Sequence, residues 1–223
     1  MKTPTQSLPS FIYLTGCDGT GKTTQARLLI EHLRRSGLRV QHQWLRFPFL
    51  CSLPFLAYAR LRGLSWYEVS GDVRHGYWSF ENSWWMKNVF PWALLLDALL
   101  VSILRVRLPL MLGFRIVCDR FVVDMLADLM VATGQERIAQ MRPGRYFPML
   151  LPRKTALIFL DLDPETIRLR RRDLVSDRSL DSKLDAYRTL AVQLHGTSFL
   201  NDGSIRDLSH RIQSYLGLSD AAE

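Results

Sequence analysis

Cysteine is scarce in this chain, with three among 223 residues. Cys17, Cys51 and Cys118 show no CxxC spacing and form no even set, which excludes a disulfide framework and a thiolate zinc site. They point instead to a reducing, cytoplasmic setting, with Cys17 and Cys118 as small buried filler. The five histidines, His32, His42, His75, His195 and His210, stand at no metal-ligand spacing. Acid is in deficit: 21 Asp and Glu face 29 Lys and Arg, a formal net charge of +8. A basic balance suits a polyanion, whether phosphorylated small molecules, nucleic acid or an anionic membrane face, but no second motif for specific nucleic-acid binding accompanies it. A clean run of eighteen apolar residues is missing too. The most apolar stretch, Val89 to Leu112, is broken by Asp97, Arg105 and Arg107 and has Pro91 and Pro109 near its ends. A long buried helix with a share in a dimer contact is expected there, not a membrane span. The first ten residues are mostly polar with two prolines, so no signal peptide is expected. No internal repeat or low-complexity tract occurs.

What is present suits one α/β domain over residues 1–223. Hydrophobic residues make up 48%, enough for a full core without metal or disulfide staples. The most informative run is Gly16-Cys17-Asp18-Gly19-Thr20-Gly21-Lys22-Thr23. It follows the apolar Phe11-Ile12-Tyr13-Leu14 and opens a helical pattern through Thr24 to Ser36, the strand, glycine loop and helix order of a P-loop. Glycines at 16, 19 and 21 let backbone N–H groups turn toward phosphate oxygens, and the helix adds its positive end. Lys22 is placed to reach the β and γ phosphates, and the Thr23 hydroxyl to ligate Mg²⁺. Residues 16–24, Thr24 included, are therefore the expected ATP cradle.

Further along, strands are expected at Leu38–Leu45, Phe114–Cys118, Ala156–Asp161 and Thr197–Leu200. Helices are expected at Lys22–Ser36, Leu50–Leu64, Val122–Ala132, Leu180–Leu194 and Ile205–Leu216, and another from Pro164 into Arg168–Arg172. Ser65 to Gly76 reads as a mixed loop, and Tyr77 to Leu108 as one or two long helices broken near Pro91. The alternation argues a parallel sheet with helices on both faces.

Asp119 follows an apolar strand, as a Walker B acid does. It is a candidate for Mg²⁺, directly or through water, against the alternative of a strand-capping aspartate. Asp161 also ends a strand and is its rival. Arg120, held beside an acid, suits bidentate phosphate recognition. Arg168, Arg170, Arg171, Arg172 and Arg178 form a basic segment. One or two of them are expected to close over ATP as a lid, while most face solvent. Asp18 inside the loop could orient an acceptor hydroxyl or an arginine, or simply stabilise the turn.

These pieces resemble a family. Residues 16–25 ending Thr-Thr-Gln, Arg46-Phe47-Pro48, Val117-Cys118-Asp119-Arg120-Phe121, Leu160 to Glu165 with Arg170, and Asp185-Ala186-Tyr187 with Leu190-Ala191 are collinear with thymidylate kinases and their nucleoside monophosphate kinase-like relatives. The resemblance implies a three-layer α/β/α P-loop NTPase fold with a five-stranded parallel sheet. It also implies a homodimer packed through long helices, and transfer of the ATP γ-phosphoryl group to a nucleoside monophosphate, thymidylate first, with Mg²⁺. It implies catalytic roles for Lys22, Asp18, Arg120 and Arg170, and Mg²⁺ held by Thr23 and Asp119. It puts the acceptor at Arg46, Phe47, Asp97 and Arg120, in a helical region of about 47–108. The lid falls at about 168–179, and Asn201-Asp202-Gly203 near the adenine.

The departures cluster on the acceptor side. The family's Asp-Arg pair is Asp97-Ala98 here, its stacking phenylalanine is Leu94, and its later Ala-Tyr-Gln is Ala127-Asp128-Leu129. Arg46, Arg74 and Arg105 are candidates to replace the missing guanidinium. Trp78, Trp84, Trp85 and Trp92 offer a new stacking surface, or core and interface. Two other functions stay open on these residues: a kinase of this fold with another small acceptor, and an ATP-switched module binding nucleic acid or membrane.

Overall fold

The computed structural model describes residues 8–45, 50–70 and 73–218. Its centre is a parallel sheet of five strands: β1 (Phe11–Thr15), β2 (Val40–Gln43), β5 (Arg115–Asp119), β6 (Thr155–Asp161) and β7 (Thr197–Leu200). They lie in the order β2-β5-β1-β6-β7, every neighbouring pair parallel. Both faces are covered at the centre, so β1, β5 and β6 are mostly apolar, while the edge strands β2 (Val-Gln-His-Gln) and β7 (Thr-Ser-Phe-Leu) carry polar residues. Phe11 and Tyr13 of β1 point into one core with Ile116, Cys118 and Phe159. Ile12 and Leu14 point into the other with Val117, Ile158 and Leu160. That division is the period of two in a strand.

Helices α1 (Lys22–Arg35) and α9 (Ile205–Tyr215) close the second face through Ala26, Leu29, Leu33, Leu208 and Ile212. The first face is closed by α4 (Phe90–Val101), α6 (Val122–Thr133) and α8 (Leu180–Gln193). The chain is a three-layer α/β/α fold with a glycine loop joining β1 to α1, the P-loop NTPase arrangement. The strand order changes direction at β1, and the carboxyl ends around such a point are where open α/β sheets hold ligands.

The segment between β2 and β5 departs from the sequence reading. Residues 65–76 are not a mixed loop but an antiparallel hairpin, β3 (Ser65–Ser70) with β4 (Val73–Trp78), and Tyr77 and Trp78 belong to its second strand rather than to a helix. The aromatic and β-branched residues favour a ribbon, and Trp66 stacks on Tyr77 at 5.9 Å. The region expected to be helical over 47–108 thus carries α2 (Leu53–Leu61), the hairpin, α3 (Trp84–Asn88) and α4. Beyond α4 comes a π turn (Ser102–Arg107) and then α5 (Leu108–Met111) with Pro109 in its first turn. Proline lacks the N–H that would continue an α ladder, and the wider turn before it accommodates that.

Residues Trp84–Met111 are long and apolar enough to cross a membrane by length and composition, with mean hydropathy 1.9, yet half of that stretch is buried inside the protein. The buried half includes Leu94, Ala98 and Val106. The outward half bears Trp92, Leu96, Leu100, Leu104 and Met111.

Candidate active site

The glycine loop is shaped by backbone that only glycine adopts readily. Gly16, Gly19 and Gly21 have φ of 140°, 88° and 91°. Each is also crowded. A Cβ on Gly16 would lie 2.2 Å from the Leu160 carbonyl oxygen, and one on Gly21 would lie 2.6 Å from Asn201 Nδ2. The loop is thus wedged between the end of β6 and the residue after β7. Asn201 is buried and donates to the Thr20 carbonyl at 2.8 Å. That is a brace for the loop, where the resemblance puts this residue near the adenine.

Lys22 begins α1 and is buried at 5% exposure. Its Nζ curls back to donate to the Cys17 carbonyl at 2.7 Å, beside the Thr20 hydroxyl at 2.8 Å from the same oxygen. The ammonium is therefore held over the loop. Burial pushes the Cys17 thiol up to about 11, so this cysteine is packing, not a nucleophile.

Asp119 ends β5 next to β1, in register with Leu14. Thr23 Oγ1 donates to Asp119 Oδ2 at 2.5 Å. Asp119 Oδ1 is buried with no hydrogen-bond partner among the described residues. An unpaired carboxylate oxygen beside a threonine hydroxyl is the donor set a hard cation takes, so Thr23 and Asp119 fit Mg²⁺. Burial raises the Asp119 pKa, with the Thr23 hydrogen bond and the Lys22 charge opposing. The rival, Asp161, is engaged elsewhere: Arg188 grips both its oxygens at 2.9 and 3.2 Å, and the Leu162 amide donates at 2.8 Å.

Arg120 sits at φ 73°, a left-handed backbone that a long side chain adopts only when its surroundings require it. It forms an ion pair with Asp18 of the glycine loop. A second carboxylate, Asp124, lies 3.8 Å from its other terminal nitrogen. Asp124 is fully buried and accepts from Tyr13 at 2.6 Å, Thr15 at 3.1 Å, Tyr187 at 2.8 Å and the Phe121 amide at 3.0 Å. The Tyr13 hydroxyl in turn accepts from the Phe121 and Val123 amides at the start of α6. Sequence reasoning gave Asp124 no role. Its signal was an acid that, with Asp128, interrupts the apolar run Phe121 to Met130, while Tyr13 and Tyr187 lie on other elements and were invisible as partners.

Part of the segment expected to be a lid packs against the glycine loop. Helix α7 (Pro164–Arg170) and the turn Arg172–Leu174 lie over the loop, and a Cβ on Gly19 would meet Ile167, the Arg171 stem and Leu174 at 3.0–3.6 Å. It is Arg171 that reaches the loop. Arg170, singled out from sequence, is exposed as the last residue of α7, whereas the chain leaves the helix at Arg171 and turns that residue's stem onto Gly19. Arg171 pairs with Asp173 at 2.6 Å and Arg168 with Asp181 at 3.0 Å.

Two acceptor residues expected from sequence, Arg46 and Phe47, lie outside the described residues. The third, Asp97, has different work in the structure. Its carboxylate accepts from the Leu50, Cys51 and Ser52 amides at 3.0, 2.8 and 3.0 Å and from the Ser52 hydroxyl. It ties down the segment that leads into α2. Ala98 beside it is wholly buried.

The region expected from sequence to take an acceptor holds a cavity of about 650 Å³. Its walls come from α2, β4, α4, α6 and the start of α8, with Leu94, Asp128, Leu129 and Trp78 among them. The hairpin closes one side by docking on the segment after α7. His75 is 3.1 Å from Ser176, the Arg178 amide donates to the Tyr77 hydroxyl at 3.1 Å, and Arg178 pairs with Glu68 at 3.4 Å. Trp84 and Trp85 stack edge-on and stay exposed, so they do not line this cavity.

No protein-family model matches the chain. No curated protein matches it either. Among solved structures, a thymidylate kinase from Ehrlichia chaffeensis aligns over 92% of this chain and 97% of its own length, at 14% identity and a TM-score of 0.49. The architecture is assigned on its own terms, from the strand order around β1 and the glycine loop that β1 carries: a P-loop α/β/α fold.

Proposed function

We propose that this chain transfers the γ-phosphoryl group of ATP to a small acceptor held in the 650 Å³ cavity. The observation that supports it most is the buried, unpartnered Asp119 oxygen beside Thr23, one residue from Lys22, at the mouth of a positive-φ glycine loop. Residues 16–24 bind the triphosphate through backbone amides, and Lys22 neutralises its charge. Thr23 and Asp119 hold Mg²⁺, which when bound offsets charge on the β and γ phosphates. Arg120, fixed by Asp18 and Asp124, faces the gap between donor and acceptor. Arg171 takes the lid role given from sequence to the arginine cluster. A loose phosphoryl transition state leaves little covalent work, so catalysis is positioning and electrostatics.

A nucleoside monophosphate, thymidylate first, is the acceptor that the sequence resemblance supports. A second copy covering the outward face of α4 through α5 is the dimer it implies, to be read by light scattering. Three free cysteines suit a cytoplasmic setting. The test is calorimetric titration with Mg·ATP, followed by ADP release with thymidylate. No heat with Mg·ATP sinks the nucleotide reading. Heat without turnover of thymidylate removes only that acceptor. A second reading, another small acceptor, is favoured by the apolar cavity wall at Leu94 and Leu129.

A further inference from the structure

We propose that the cavity takes an amphipathic acceptor, a hydrocarbon body ending in one oxygen nucleophile, rather than a nucleobase. The transfer step rests on the kinase reading above, while occupancy of the cavity does not.

The first argument is the wall. Leu53 and Leu56 of α2 face Phe90 and Leu94 of α4, with Trp78 and Leu129 between them. No asparagine or glutamine lines the cavity among the described residues. The second argument is that its polar groups are already engaged by protein. Lys183 Nζ donates to Asp177 at 3.1 Å and the Ser179 hydroxyl to the same residue at 2.6 Å. The Tyr77 hydroxyl accepts from the Arg178 amide at 3.1 Å, and Arg60 donates to the Tyr67 hydroxyl at 3.2 Å. Asp128 also has an interaction of its own. A base brings several donors and acceptors that need partners once desolvated, and each left unmade costs about 1–3 kcal/mol. A hydrocarbon brings none and gains from burial.

The third argument is polarity of the ends. Ser179 and Lys183 start α8, directly after the segment that packs on Gly19. Lys183 and its partner Asp177 also act electrostatically on Cys17 of the glycine loop, so the Ser179–Lys183 end of the cavity is the end toward the loop, and an acceptor oxygen there faces the donor. In the transfer, that oxygen bonds to the γ-phosphorus and the bond to the β–γ bridging oxygen breaks. ADP leaves with the electron pair. A hydroxyl gives its proton to water, and an already ionised monophosphate oxygen gives none.

The probes are farnesol and farnesyl monophosphate, against thymidine and thymidylate. Binding is read by quenching of tryptophan fluorescence, since Trp78 is in the wall, and transfer by ADP release and product mass with Mg·ATP. We expect at least one farnesyl probe to bind about tenfold or more tightly than its thymidine counterpart, the two arms separating alcohol from monophosphate. Leu94→Gln weakens that binding about tenfold, while Leu104→Gln on the outward helix face leaves it unchanged. Tighter binding of thymidine or thymidylate overturns the proposal, as does loss at Leu104 instead of Leu94. If Leu94→Gln does not fold, the wild-type competition decides alone. Failure of Mg·ATP to bind would sink the kinase reading and leave this binding result standing on its own.

Discussion

The two ends of the site are built in opposite ways. On the donor side, eight consecutive residues make a loop, start a helix and place an ammonium, and one aspartate from the next strand completes it. On the proposed acceptor side, residues from α2, the hairpin, α4, α6 and α8 converge on one cavity wall. The donor side is local and charged, and its geometry is dictated by backbone conformation. The acceptor side is non-local and apolar, and its geometry is dictated by how helices settle on one another. A phosphate needs a stereotyped cradle, whereas an acceptor pocket can be re-lined without disturbing the cradle.

That contrast can be broken at several points. Lys22→Ala has the largest expected effect. It removes the ammonium held over the loop and should lower kcat by about 10²–10³, the usual cost of one transition-state donor, in a steady-state ADP assay. Near-normal turnover would contradict the donor assignment. Next is Asp124→Ala, which strips partners from three buried hydroxyls and from Arg120. Urea denaturation should show a loss of about 3–5 kcal/mol. An unchanged midpoint would mean the hub is not structural.

Asp97→Ala separates the two sides most directly. As the anchor of α2, Asp97 should cost about 1–2 kcal/mol of stability when removed, seen as a Tm lower by roughly 2–8 °C, with Mg·ATP affinity held. If the variant keeps its Tm and loses acceptor affinity alone, the sequence-based acceptor role returns.

Asp119→Asn should move the other way. Burial lifts the Asp119 pKa, so the folded chain holds that proton more tightly than the unfolded chain. Its contribution to stability is then highest at acid pH and falls as pH rises through the raised value. The amide escapes that loss. Without Mg·ATP the variant's Tm should exceed wild type at pH 7, and the gap should close as the pH falls below the raised value. Metal-dependent ATP binding should weaken in the same protein. A lower Tm at neutral pH would show that the carboxylate is stabilised by groups that outweigh its burial. The smallest effect is expected for Tyr77→Phe, which loosens the hairpin from the Arg178 amide. A shift under about 1 kcal/mol, with KM rather than kcat affected, is the expected outcome.

Much of the donor side was legible in the chain because its parts are neighbours in sequence. Gly16 to Thr23 specify positive φ, an anion cradle and a helix start within one stretch, and the apolar run before Asp119 marks a strand end. The hairpin was misread because residues 65–76 mix charge with aromatics, and the runs either side of the turn-type pair Gly71-Asp72 do not alternate cleanly. The bonds of Asp97 to the amides before α2 were not legible because partners 45 or more residues away leave no local trace. The contact of Arg171 with the loop was settled only by where the chain turns after α7.

By itself, the order of residues determined the parallel α/β layering and the glycine loop, since each depends on periodicity or on backbone conformations that particular residues permit. Only the tertiary structure decided which arginine meets the loop, which amides Asp97 holds, and that a mostly apolar cavity stands beside them. Those outcomes depend on packing between distant elements, and side-chain contacts across a core have no signature along the chain.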